Sequence, residues 1–297
     1  MSCTLSVFRA GPLATIQDEG RFGLLRHGVS ASGPMDAAAF ANAGMGGRGG
    51  IEITMAGIEL RVESGSCQVG FGGGDFKLKV NGERQVWPGP AALKAGDKLA
   101  VTPGKAGNFG YLRFDTDIML KPVMGSMATN TRARLGGLDG RALQSGDVIS
   151  LGDTGTEPMA LGSASQPSGG PIRIVWGLHA DLFSSEIRSS MLQDVFHISS
   201  KLDRMGVRLD DRSGVFSDAT ILSLVSDAII PGDIQILGDG TPIVLMRDHQ
   251  PTGGYPRIAT IITADLDRFA QLRPGSSVAF TSVSVDHAQR ILLSVSP

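Results

Sequence analysis

Cysteine is almost missing from this chain: Cys3 and Cys67 are the only two among 297 residues, and they make no Cys-x-x-Cys spacing. Cys67 lies in the alternating stretch Ser66-Cys-Gln-Val-Gly-Phe71. It is expected to be a small buried hydrophobe rather than half of a disulfide or a reactive thiol. Aromatic residues are scarce at 5%, which argues against a base-stacking platform for single-stranded nucleic acid. Lys and Arg form no cluster and the formal net charge is -2, so no nucleic-acid partner is expected. No run approaches the roughly 20 apolar residues of a membrane helix. Met1–Arg9 has no basic stretch leading into a long apolar one, which sets the expectation of a cytoplasmic protein with no membrane partner.

Several chemistries lack their motifs. No Gly-x-x-x-x-Gly-Lys-Ser/Thr loop occurs, which argues against a P-loop nucleotide site. The five histidines (His27, His179, His197, His249, His287) are scattered, with no His-Glu-x-x-His, so no metal site is expected. There is no Gly-x-Ser-x-Gly elbow. There is no Met-Lys-Met either, so no covalently bound biotin is expected. The run Phe71-Gly-Gly-Gly-Asp-Phe76 lacks the strand-then-helix setting of a dinucleotide site and reads as a turn between strands.

Glycine is what the chain has in excess: 41 residues, about twice the ordinary ~7%, without a fixed period. That pattern fits many tight turns between short strands. Ile58, Leu60 and Val62 form one alternating face, and Phe76, Leu78 and Val80 another that runs into the hairpin signal Asn81-Gly82. Further strands are expected at Lys98–Val101, Phe109–Phe114, Val148–Leu151, Ile172–Trp176, Pro242–Met246 and Ser277–Val283. Gly96-Asp97 and Gly146-Asp147 introduce two of them. Helices are expected from Ser32-Gly-Pro-Met-Asp36 to Ala41, over Ala180–Phe196, and over Asp265–Leu272 before Pro274-Gly275. The fold class is mainly β, as barrels or sandwiches with few short helices. Residues 162–171 have linker composition. The expected division is a first β-barrel half over 1–161, in which 1–50 can pack on the second half, and a second half over 172–297.

Three clusters join charged or polar residues to glycines that permit close backbone approach. The first runs from Gln17, Asp18 and Arg21 to Ser32 and Asp36; the second holds Lys201, Asp203, Arg204 and Arg208. The third holds Gln250, Thr252, Gly253, Gly254 and Tyr255. Each also has a structural reading, as a turn-stabilising ion pair or a Gly-Gly hairpin.

Six segments in order carry a resemblance that covers essentially the whole chain. They are Gln17-Asp-Glu-Gly-Arg21, Ser32-Gly-Pro-Met-Asp36, Ile51-Glu-Ile-Thr54, Gly136-Gly-Leu-Asp-Gly-Arg141, Asp203-Arg-Met-Gly206 with Arg208-Leu209, and Thr252-Gly-Gly-Tyr-Pro-Arg-Ile-Ala-Thr260. The chain resembles the family known as allophanate hydrolase subunit 2, as biotin-dependent carboxyltransferase, or as the C subunit of 5-oxoprolinase. Leu202, His249 and Pro251 depart from its usual pattern.

The resemblance implies two cyclophilin-like β-barrel domains and a subunit that works with companion 5-oxoprolinase or allophanate hydrolase subunits on a small amide substrate. In the 5-oxoprolinase type, the assembled complex uses ATP to open 5-oxoproline to glutamate. In the alternative, this region moves a carboxyl group from carboxybiotin to urea. A third reading is a regulatory partner of a kinase inhibitor. Either enzyme chemistry needs donors aimed at developing negative charge and a base within reach. Arg204, Arg208 and Lys201 are candidate donors, and Asp203 and Asp36 are candidate bases or orienters. Gln17, Gln250 and Tyr255 are candidate grips for an amide face. Asp18, Arg21, Ser32, Thr252, Gly253 and Gly254 complete the candidate binding set.

Overall fold

The structure is a computed structural model and describes residues 2–152, 169–219 and 223–295. It is mainly β, with 39% strand and 14% helix. The chain divides into two compact units, Met1–Gly23 with Ala31–Gln166, and Leu24–Ser30 with Pro167–Pro297. Most of the expected linker, 162–168, lies outside the described residues.

In the first unit the chain forms β1 (Cys3–Ala10), β2 (Thr15–Gln17), α1 (Ala37–Asn42), β3 (Gly50–Thr54), β4 (Ile58–Ser64) and β5 (Ser66–Gly73). It continues through β6 (Phe76–Val80), β7 (Glu83–Arg84), β8 (Gly89–Lys94), β9 (Lys98–Pro103), β10 (Phe109–Phe114) and β11 (Val148–Leu151). Two antiparallel sheets result, ordered β11-β1-β4-β9-β6-β7 and β2-β3-β10-β5-β8. Their inner faces share one core: Leu5, Val7, Leu60, Leu78 and Val101 meet Ile16, Ile51, Val69, Phe71 and Leu112. Both cysteines belong to this core as free thiols. Asn81 and Gly82 both take positive φ, 53° and 89°, the two-residue turn that matches the twist of paired strands.

The Gly-Asp introductions have a common physical basis. In Gly96-Asp97 and Gly146-Asp147 the glycine takes positive φ, and the aspartate carboxylate accepts from the backbone N–H three residues earlier. The distances are 2.9 Å to Lys94 and 2.8 Å to Gln144. Gly232-Asp233 repeats the device, with Ile230 donating at 3.0 Å. A short loop thus has its backbone satisfied just before the next strand begins.

The second unit contains β12 (Ile172–Trp176), α2 (Ser185–Gln193), β13 (Phe196–Leu202), β14 (Gly206–Asp210), β15 (Asp227–Ala228), β16 (Asp233–Ile236) and β17 (Pro242–Leu245). Then follow β18 (Thr252–Gly253), β19 (Arg257–Ile261), α3 (Thr263–Ala270), β20 (Ser277–Val278), β21 (Phe280–Ser282) and α4 (Val285–Val295). Eight strands order as β20-β13-β14-β17-β16-β19-β12-β21. The outermost strands, β20 and β21, are separated only by Ala279, so one short segment holds both ends and the sheet is nearly a closed barrel. Phe183, Phe196, Phe216 and Phe280 pack against one another inside it.

Two helix expectations and one strand expectation are corrected. The first helix starts later, at Ala37, because the Asp36 carboxylate is its N-cap, accepting from Ala39 N at 2.8 Å. The helix expected over Ala180–Phe196 breaks at extended Phe183 and restarts behind the Ser184 cap, ending before β13 begins at Phe196. The strand expected over Ser277–Val283 is two short strands, followed by α4, which the strand reading of this region did not include.

Candidate functional site

The first cluster of candidate residues falls in the first unit, and the second and third fall in the second unit. In the first unit the ladder register builds a polar face. Thr15 lies opposite Glu52, and Glu52 opposite Tyr111; two residues along, Gln17, Gly50 and Arg113 form the next row. Strand side chains alternate, so these residues share one face of the sheet while Ile16, Ile51 and Leu112 face the core. The polar face is itself covered. Gly50 and Gly70 make room for the cover: a Cβ on Gly50 would lie 2.9 Å from the Phe40 ring, and one on Gly70 2.4 Å from Ala43 O.

Buried polar groups must find partners, and here they find one another. The Tyr111 hydroxyl donates to Glu52 Oε2 at 2.9 Å and accepts from Asp36 N at 2.8 Å. The same Glu52 oxygen accepts from Met35 N at 2.7 Å. Burial, reinforced by the Glu52 and Asp36 carboxylates, pushes the Tyr111 phenol well above its ordinary pKa, which keeps it a donor. Arg113 lies with its guanidinium 4.3 Å from the centre of the Phe40 ring, donates to Gly47 O at 2.9 Å and reaches Glu19 Oε1 at 4.0 Å. Burial lowers its pKa from the ordinary arginine value.

The sequence-named residues surround this face. Gln17 is fully buried and donates to Thr15 Oγ1 and Thr129 O. Its Oε1 has no hydrogen-bond partner among the described residues. The Asp18 carboxylate accepts from Ser126 Oγ and from the backbone N–H groups of Gly20, Met127 and Ala128. Arg21 donates to Ala128 O, and Ser32 Oγ accepts from Asn130 at 3.2 Å. Arg21 N also donates to Ala31 O at 2.8 Å. This packs the segment 18–21 against 31–33 so closely that a Cβ on Gly33 would lie 2.9 Å from Glu19 O.

In the second unit, β13 and β14 are joined by a turn in which the Asp203 carboxylate accepts from Met205 N at 2.7 Å and Gly206 N at 3.1 Å. Arg204 donates to Asp248 through Nε at 2.9 Å and Nη2 at 3.1 Å, and both side chains are buried. Backbone bonds from Asp248 N to Arg204 O and Met246 N to Met205 O continue the β14–β17 pairing past its end. This joins the Asp203–Gly206 turn to the chain that leads into Gln250. His249, also buried, sets Nδ1 2.6 Å from Gln250 O. Thr252 and Gly253 pair with Ala228 and Asp227 in the β15–β18 ladder, and Tyr255 is 40% exposed. Lys201 is exposed, and Arg208 is half-buried on β14.

The sequence reading did not single out Glu52, Tyr111, Arg113 or Asp248 as site residues. The signal for the first three was a polar residue between core hydrophobes in Ile51-Glu-Ile53 and Tyr111-Leu-Arg-Phe114. Among the described residues no group of three or more His, Cys, Asp or Glu is gathered as a metal site would require.

Comparison with known proteins gives consistent results. The 5-oxoprolinase C subunit of Escherichia coli K12 is 34% identical over 96% of this chain and 93% of its own length. The corresponding 5-oxoprolinase C subunit of Haemophilus influenzae is 32% identical over 94% and 91%. The crystal structure of the K. lactis urea amidolyase superposes with a TM-score of 0.87 at 27% identity, covering 98% of this chain. The chain spans only 19% of that larger protein. The model of the carboxyltransferase domain, subdomain A and B, matches residues 27–282, and the chain belongs to that family.

Proposed function

We propose that this chain is one subunit of a multi-component, ATP-dependent 5-oxoprolinase that opens 5-oxoproline to glutamate and is inactive alone. The observation that carries the reading is the end-to-end match to the 5-oxoprolinase C subunit, 93% of whose length in E. coli this chain accounts for. The reaction is hard because an amide carbonyl is a poor electrophile; in the assembled complex ATP would phosphorylate the amide oxygen, which makes the carbonyl carbon open to attack by water and leaves phosphate as the leaving group. What this chain contributes is grip and charge. Lys201, Arg208, Thr252 and Tyr255 are at least partly accessible and suit an amide or its activated form. Gln250, half-buried, offers amide-to-amide hydrogen bonds, and Gln17, fully buried with its Oε1 unpartnered among the described residues, can offer one only where its cover opens. Asp203, Arg204 and Asp36 complete the proposed catalytic set. Their hydrogen bonds to the β13–β14 turn, to Asp248 and to the start of α1 support a positioning share in that work.

The experiment is co-expression with the companion subunits, in the cytoplasm where the proposal places them, followed by assay of ATP hydrolysis and glutamate release. The isolated chain is expected to show no 5-oxoproline-stimulated ATP hydrolysis and the complex to show it. Turnover by the pure chain would overturn the subunit reading. The second reading, a carboxyltransferase component using carboxybiotin, is favoured by the superposition on urea amidolyase. It predicts urea-dependent and 5-oxoproline-independent ATP hydrolysis with a biotin-bearing partner.

A further inference from the structure

The Thr252-Gly-Gly-Tyr255 segment of the second unit carries two glycines that no turn explains. Neither takes positive φ, so the pair supplies room rather than a left-handed backbone. The chain that uses the room is residues 224–228. β15 pairs with β18, Asp227 opposite Gly253 and Ala228 opposite Thr252, and Leu224 N donates to Gly254 O at 2.6 Å. A Cβ on Gly254 would lie 3.0 Å from Leu224 O, and one on Gly253 2.6 Å from Gln235 Nε2. The two glycines thus let one backbone lie flat on another.

The hold on this overlying segment is light. Val225 is 92% exposed, Ser226, Asp227 and Ala228 are exposed, and Leu224 is half-buried, so lifting residues 224–228 uncovers little apolar surface. Arg257 fastens them: Nη1 donates to Ala228 O at 2.8 Å and Nη2 to Asp227 Oδ2 at 2.6 Å. Arg257 also lies 3.6 Å from Oδ2 of the buried Asp233, so releasing Asp227 does not strand the cation without a counter-charge. Beyond Ala228 the chain is fixed, because Ile229 is fully buried and its N donates to Pro251 O at 3.4 Å.

We infer that residues 224–228 form a strap, latched by Asp227 on Arg257, that lifts from Gly253 and Gly254 to admit a lactam. The strap follows from the geometry of the second unit, and the lactam rests on the 5-oxoprolinase reading. A five-membered lactam holds its amide cis, so its N–H and C=O share one edge, as the N–H and C=O of one residue do in an antiparallel ladder. Laid along Gly253 and Gly254, that edge makes bonds of the kind the strap makes now, and the missing Cβ atoms let the ring approach. Thr252 and Tyr255, both exposed, flank the glycines. Strap and ligand compete for the same backbone, so the apparent affinity follows the fraction of chains whose strap is open.

The test uses the full-length chain, with 2-pyrrolidinone, 5-oxoproline and urea as probes. Asp227→Ala loosens the latch without touching the glycines. It is expected to speed amide exchange across residues 224–228 by up to about fivefold, the weight of one half-exposed ion pair, with exchange in β16 and β17 unchanged. Lactam binding, read by NMR titration, should tighten by the same factor. Ala228→Cys with Thr252→Cys does the opposite: directly paired residues suit a disulfide, so oxidation ties the strap down. The oxidised form should bind neither lactam, and reduction of the same variant should restore binding. Exchange over 224–228 that rises only together with β16 and β17 would overturn the strap. Lactam binding weakened by Asp227→Ala, or indifferent to the disulfide, would overturn the competition between strap and ligand. Should the cysteine variant fail to oxidise, Asp227→Ala decides alone. If the strap opens and neither lactam binds, the lactam is overturned. Urea binding in their place, with the same response to latch and disulfide, would locate that failure in the 5-oxoprolinase reading and uphold the strap.

Discussion

Arg204 meets Asp248 across 44 positions of sequence through two contacts, at 2.9 and 3.1 Å, with both side chains buried. A buried pair of this kind is costly to break from one side, because the remaining charge is left without compensation. Arg204→Ala and Asp248→Ala are each expected to destabilise the protein by about 3–5 kcal/mol. The double substitution should cost clearly less than their sum. Arg204→Lys should recover only part of the loss, since an ammonium cannot reproduce the planar two-contact geometry. Urea unfolding midpoints measure all four, and additive effects would show that the pair is not coupled.

Tyr111 bridges Glu52 and the backbone of Asp36 through one oxygen. Tyr111→Phe removes that oxygen and changes little else. It is expected to cost about 1–3 kcal/mol, the penalty for leaving buried polar groups under-satisfied. Because Met35 N also rests on Glu52, the loss should be accompanied by faster amide exchange at Met35 and Asp36. Hydrogen exchange at those two positions is the check. Unchanged protection would mean that the segment 32–36 is held from elsewhere.

The sequence made the strands legible where alternation met a turn with its own chemistry, and much less where burial removed the alternation. Val148–Leu151 ends where its exposed–buried alternation ends, whereas Phe109–Phe114 is buried throughout and was legible from its aromatic-rich run instead. Asn81-Gly82 and the Gly-Asp pairs mark turns because few other residues accept those backbone angles. The polar face was harder to read. Its strands are buried on both sides, so Glu52 and Tyr111 sit among core hydrophobes with no solvent-facing row to set them apart. Asp248 was not singled out because its significance lies in Arg204, and nothing local to either residue states the pairing. The helix expected over Ala180–Phe196 relied on apolar spacing alone, yet Leu182 is exposed and Phe183 turns extended to enter the barrel core. For α4 the periodic residues Val285, Ala288, Ile291, Leu292 and Val295 were present, and the strand-like run before them ended the reading too early.

Acid should weaken the second unit through Asp265. Burial alone would raise its carboxyl pKa, but hydrogen bonds from the Arg173 side chain and backbone and the charge of Arg268 outweigh burial and hold it below the ordinary value. The carboxylate therefore contributes stability that is present above about pH 3.9, the unfolded value, and is lost as pH falls through the lower folded value. Asp265→Asn should lower stability at neutral pH and flatten its fall below about pH 4. Unfolding midpoints between pH 5 and 2.5 test this. A variant that tracks the unsubstituted protein at a constant offset would remove Asp265 from the acid limb.

His249 predicts a separate dependence at higher pH. Burial lowers its pKa, while the Gln250 carbonyl and the Asp233 and Asp248 charges pull the other way without cancelling the effect. The folded protein therefore holds a neutral imidazole where the unfolded chain, with a value of about 6.5, begins to bind a proton. More protons on the unfolded state means that stability rises with pH. The contribution is complete above about pH 6.5 and is lost as pH falls toward the depressed folded value, with a slope of at most about 1.4 kcal/mol per pH unit for one proton. His249→Gln keeps a polar side chain of similar reach and cannot titrate. Urea midpoints at pH 7.5, 6.5 and 5.5 are expected to decline for the unsubstituted protein and to decline distinctly less for the variant. Equal declines would show that His249 takes up its proton in the folded state as readily as in the unfolded one. This window lies above that of Asp265, so the two substitutions should flatten different parts of one stability curve.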